Sequence, residues 1–248
     1  MANSQWTDLG GLPGVSDAVE GCRVAITALR RHPANRKGWP RTAAAASIRA
    51  ARASAALDGA PLILEQGVAA VTEPILAGAL RAGSAIGAMA GVWPRSPLQV
   101  LARLHTLAAA DLVPPDELGR PRMDDATIGP ALAGLAELVT NNPWPAPVQV
   151  AVVHGELLGL APFGSANGVV ARAAARLTMI ATGLDPAGLG VPEAAHLRSG
   201  ERYRDLAEGF AAGGLDGVDD WILEVCRCLV AGVREGVSIA DGALESDR

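Results

Sequence analysis

The chain has 248 residues, ample for a buried core in one large domain or two small ones. Half of them are hydrophobic and 19% are charged, which excludes intrinsic disorder, and a net charge of −5 leaves no nucleic-acid footprint at the level of the whole chain. Forty-nine alanines against 3% aromatic residues, with β-branched residues scattered rather than alternating, favour helix packed on helix over a sandwich or barrel.

The N-terminus is polar and carries Asp8 where a secretory leader would need a basic start and an apolar run. No stretch suits a membrane-spanning helix, so the expected setting is cytoplasmic. Helices are expected over about 15–31, 41–58 and 62–81, punctuated at Gly59–Pro61 and Trp93–Pro97. Leu101, Leu104, His105 and Ala108 then share one helical face. The polar run 113–126 is the one candidate hairpin. Further helices are expected over 126–140, 147–160 and 168–183, then between Gly200 and Gly213 around Tyr203, Leu206 and Phe210. The last carries Val218, Trp221, Ile222, Val225 and Leu229 on one face. Cys22, Cys226 and Cys228 suit neither a disulfide framework nor a zinc site and read as core. His105, on an apolar stripe, reads as a buried core histidine, and His154 as one that completes core packing or bonds a backbone carbonyl. The economical arrangement is all-α, with an N-terminal helical region over 1–92 and a core over 93–237. The ends, 1–14 and 238–248, are expected to fray.

The most informative segment runs from Leu160 through Ala-Pro-Phe-Gly-Ser-Ala-Asn to Gly168 and opens a helix that carries Arg172 and Arg176 at i and i+4. Free N–H groups in such a loop, with the positive end of the following helix, form a cradle for an anion. A plain turn is the structural alternative.

This segment resembles the Fic (Fido) signature, His-Pro-Phe-x-acid-Gly-Asn-Gly-Arg-x-x-Arg, with Pro162, Phe163, Asn167, Gly168 and Arg172 matching. The resemblance spans roughly residues 45–236. Leu104-His105 and the run to Met123 resemble the helix and flap hairpin of that family. Ser54-Ala-Ala-Leu-Asp58-Gly59, on a helix over about 41–59, resembles its inhibitory-helix motif, in which Glu stands at the position of Asp58. The resemblance implies an all-α Fic-like domain with a short flap hairpin. It implies nucleotide or anion contacts from Phe163, Gly164, Ser165, Asn167, Gly168 and Arg172. It also implies an inhibitory contact from Ser54, Asp58 and Gly59, and target docking along Glu117, Leu118, Gly119 and Arg120.

Members of the family typically transfer AMP from ATP to a protein hydroxyl. Here the position of the general base is Ala161, so no catalytic residue is assigned. The metal-holding acid is Ser165, a poor ligand for Mg²⁺, and the first arginine is Val169. ATP remains a candidate ligand; Mg²⁺ is not expected. The resemblance therefore implies a pseudoenzyme, impaired in AMPylation, that keeps a nucleotide-binding or regulatory role. The alternatives are an active transferase of AMP, phosphate or another nucleotide group to a protein hydroxyl, and a structural partner of an active relative. The expected partners are a nucleotide and a protein target or a second copy, with no nucleic acid and no membrane.

Overall fold

Pro33, Pro74, Pro97 and Pro192 each open a helix, at the first helical position, where a missing N–H costs nothing. The computed structural model describes residues 9–62, 71–141 and 143–246, with Lys37 described by its backbone alone. After a 3₁₀ turn at Leu9–Gly11 come α1 (Val15–Arg31), α2 (Pro33–Leu57), α3 (Pro74–Met89), α4 (Pro97–Ala108) and α5 (Ile128–Asn141). Then follow α6 (Ala146–Leu160), α7 (Asn167–Ala181), α8 (Pro192–Ser199), α9 (Glu201–Ala212) and α10 (Leu215–Ser246). The architecture is all-α, and no strand occurs among the described residues.

Two apolar clusters meet at the paired helices α6 and α7. One gathers α3, α4 and α5 around Trp93, Leu101, Leu104 and Leu177. The other gathers α1, α9 and α10 around Ile26, Leu29, Trp221 and Ile222. Each such buried side chain contributes about 1.5–3 kcal/mol of transfer free energy. Polar edges of the large rings are satisfied, with Trp93 Nε1 donating to Thr178 Oγ1 at 3.0 Å and Trp221 Nε1 to the Ala151 carbonyl at 2.8 Å. All three cysteines are free and buried, in agreement with their core reading.

Four expectations change. Helix α2 begins at Pro33, ahead of residue 41, and takes Pro40 into its interior. The helix expected over 62–81 begins at Pro74 and continues to Met89, while residues 63–70 lie outside the described residues. The flap hairpin is absent: 113–127 is a chain of turns. Pro114, Pro115 and Pro121 have no N–H to donate to a ladder, and Gly119 turns the chain at φ 73°. The tail expected to fray over 238–248 continues α10 to Ser246, with Ala240 buried and Asp241 bonded to His32. Residues 1–8 of the expected N-terminal fray lie outside the described residues, and Leu9 is buried.

Candidate functional site

Helix α6 stops at Ala161, which takes left-handed backbone at φ 41°, and α7 starts beyond Ala166, left-handed at φ 53°. Between them the loop is braced by one side chain. Asn167 Oδ1 accepts from the Phe163 N–H at 2.9 Å and its Nδ2 donates to the Phe163 carbonyl at 2.8 Å. The ring of Phe163 points inward and stacks on His105 at 4.1 Å between centroids and 4° between planes. His105 in turn accepts the Gly119 N–H on Nδ1 at 2.9 Å, tying the flap segment to α4 and to the loop. Burial pushes its imidazole below the ordinary value, partly offset by the Ser165 backbone. Arg122 completes the seam: its N–H donates to the Pro162 carbonyl at 2.8 Å and its Nε to the Ala161 carbonyl at 3.1 Å.

Arg172, one turn into α7, is 3% exposed and fully engaged. Its Nε donates to Ser54 Oγ at 2.8 Å, and its Nη2 to the Ser54 carbonyl at 3.0 Å and to Asp58 Oδ1. Its Nη1 reaches the Tyr203 hydroxyl at 3.4 Å, and His154 Nε2 bonds the same hydroxyl at 2.9 Å. Burial works against the charge of Arg172, yet Tyr203 and Asp58 together hold its pKa above the ordinary guanidinium value. The second oxygen of Asp58 accepts the Val169 N–H at 3.0 Å, at the amino end of α7. A chain carboxylate thus occupies the cradle of N–H groups and guanidinium that a helix N-terminus offers to an anion.

The local sequence explains how α2 delivers that carboxylate. Gly59, at φ 97°, donates to the Ala56 carbonyl while Ala60 donates to Ala55, a Schellman turn that ends α2 with Asp58 at its cap. Asp58-Gly59 therefore both ends the helix and reaches Arg172. Gly168 is required opposite it, since a Cβ there would lie 2.3 Å from Asp58 Oδ1.

The loop residues named from sequence divide. Gly168 and Arg172 border the cradle, with the Val169 N–H between them. Asn167 is committed to bracing the loop and Phe163 to the core. Gly164 is exposed, and the Ser165 hydroxyl is buried with no hydrogen-bond partner among the described residues. Glu117 approaches Gly164, its Oε2 3.7 Å from where a Cβ would stand, and Gly119 bonds His105; Leu118 and Arg120 are half-buried and exposed on the same turns. Arg176, facing the same way as Arg172, is held by Glu193 and by the Gly188 and Gly190 carbonyls. The donors do not fit a divalent cation: the loop carries no carboxylate, the amide oxygen of Asn167 is taken, and Asp58 is paired with Arg172. Sequence reasoning missed Arg122 and gave His154 a backbone carbonyl or plain packing where it has a tyrosine hydroxyl. The Leu-His pair and Tyr203, both noted from sequence, were the available signals.

The same arrangement of helices occurs in solved structures. A Fic family protein from Desulfovibrio desulfuricans superposes with a TM-score of 0.70 over 89% of this chain and 74% of its own, at 21% identity. Fic-1 from C. elegans gives 0.69 over 94% and 75%, at 16% identity. The chain has the Fic fold. A Fic domain containing signaling protein from Bacteroides thetaiotaomicron gives 0.66 over 91% of this chain and 98% of its own, at 12% identity. No protein-family model and no curated protein matches. No helix among the described residues is long and apolar enough to cross a membrane.

Proposed function

We propose that this chain is a divergent Fic domain protein, impaired in AMP transfer, whose anion-binding loop is held shut by its own α2. The observation that carries the reading is Asp58. Its carboxylate takes the Val169 N–H and the Arg172 guanidinium, the two groups best placed to receive a phosphate. Three of the bonds that Arg172 makes go to α2. The cavity that Arg172 lines beneath α2 and α3 holds about 20 Å³, room for one water and none for a nucleotide. Access therefore requires the last turn of α2 to move.

The chemistry for transfer is absent at each step the chain itself would perform. Ala161 has no group to take a proton from an attacking hydroxyl. Val169, 3% exposed, is part of the core, so its side chain replaces a phosphate donor with packing. General-base loss alone removes about 10²–10⁴ in rate. What persists is a regulated anion site.

Calorimetric titration of ATP and ADP, with and without Mg²⁺, tests this on three proteins. The wild type is expected to bind weakly, at or beyond about millimolar, and Asp58→Ala about tenfold or more tightly. Asp58→Ala/Arg172→Ala is expected to lose that gain. Equal affinities in all three would overturn the lock. Labelled AMP appearing on a bystander protein would instead establish the active transferase.

A further inference from the structure

Between Arg23 and Arg52 the chain carries eight basic residues and no acidic one, while the remainder holds thirteen basic and twenty-six acidic residues. A charge of +8 is therefore gathered over residues 23–52, from the middle of α1 into α2, of an acidic protein. Part of it is neutralised, as Arg49 pairs with Glu235 at 3.1 Å. Arg23, Arg30, Arg31 and Arg36 are exposed and have no carboxylate partner among the described residues.

The exposed face of α1 is also shaped. A hollow of about 550 Å³ is lined by Arg23, Val24, Thr27, Arg31 and His32, and Val24 is 60% exposed there. Carboxylates bound it at both ends. Glu20 lines it one turn before Arg23, and Asp241 of α10 bonds His32 Nε2 at 3.1 Å. Arg23 and Arg31 are eight residues apart, about 12 Å along the helix. That length matches about four extended residues of another chain.

We propose that this face of α1 docks a short acidic segment of a partner protein, with carboxylates for Arg23 and Arg31 and an apolar side chain between them for Val24. Arginine suits the role because its planar fork takes a carboxylate by two parallel bonds. The end carboxylates decide against a long polyanion. A nucleic-acid strand would run past Arg23 onto Glu20 and past Arg31 toward Asp241. None of these residues belongs to the Arg172 network, so the surface stands or falls independently of the lock.

Fluorescence anisotropy of a labelled acidic hexapeptide with a central leucine, titrated with the full chain at about 0.05 M salt, tests the assignment. Micromolar binding is expected, about tenfold weaker for Arg23→Ala/Arg31→Ala and a few-fold weaker for Val24→Ser. A glutamine version of the peptide is expected not to bind. All three substitutions are at exposed positions, and an unchanged melting midpoint confirms that the variants fold. Absence of peptide binding, or equal binding by the double variant, overturns the proposal. So does tighter binding of a single-stranded oligonucleotide than of the peptide, which would give the surface to nucleic acid.

Discussion

Ala161 and Ala166 hold left-handed backbone at the two ends of the loop, where a side chain crowds the following carbonyl. Each carries a strain of about 1–2 kcal/mol that glycine would not. The strain is tolerated because Asn167, the His105 stack and Arg122 fix the loop from three sides. Ala166→Gly is therefore expected to stabilise the protein by about 1 kcal/mol after glycine's own entropic cost, read as a raised urea midpoint at constant slope. No gain would mean that the loop has relaxed its strain elsewhere. At this scale the sequence showed which residues stand at the site but not their use. Asn167 matches an anion-binding position by resemblance to the family signature, yet a residue four places away, Phe163, consumes both ends of its amide. Asp58 was legible as a helix end and, through the family resemblance, as an inhibitory contact, while its reach to Arg172 depends on a contact across more than a hundred positions that no local pattern encodes.

Helices in this protein cross at glycines, which is how an alanine-rich chain with few aromatics fills its core. A Cβ on Gly78 of α3 would lie 2.0 Å from the Ala108 carbonyl oxygen at the end of α4, and one on Gly232 of α10 would lie 2.5 Å from the Pro192 nitrogen of α8. Both obstacles are backbone, so neither can swing aside. Gly78→Ala is expected to cost at least about 3 kcal/mol, through forced separation of α3 and α4, despite alanine's better helix propensity. Equilibrium denaturation measures it, and a neutral result would show that the two helices are loosely apposed. Elements whose apolar residues fall on one face were legible: α1 follows Val15, Val19, Cys22, Ile26 and Leu29 from end to end. Helix α3 was misplaced because an apolar run precedes Pro74. The stronger signal was Glu73-Pro74, where Glu73 Oε1 accepts the Ile75 N–H at 3.0 Å to cap the helix. The flap failed as a hairpin because prolines outweigh the alternation of charge and turn residues in that segment.

Across the whole molecule, the pieces meet beneath Tyr203, where His154 and His196 lie 5.1 Å apart between ring centroids with both rings buried. Burial, then the Arg172 charge, pushes His196 down to about 3, and burial and His196 hold His154 well below its ordinary value. Both stay neutral in the folded protein while the unfolded chain takes up protons below about pH 6.5. The unfolded state then binds more protons, so stability falls as pH drops from about 6.5 toward the folded value near 3. His196 alone accounts for about 2 kcal/mol between pH 7 and pH 5, at about 1.4 kcal/mol per unit below the unfolded pKa. Glu224 adds its own loss at lower pH. Burial would raise its carboxyl, but Arg227, Ser199 and Arg202 hold it at about 2, so its contribution fades only as pH falls from the ordinary carboxylate range. Glu156, pushed up by burial, works the other way and softens the fall there. Urea denaturation at pH 7 and pH 5 is expected to show the wild type losing at least about 2 kcal/mol, and His196→Asn losing about that much less. An identical pH response in the variant would mean that His196 is protonated in the fold, and that the polar network behind Arg172 carries a charge its burial argues against.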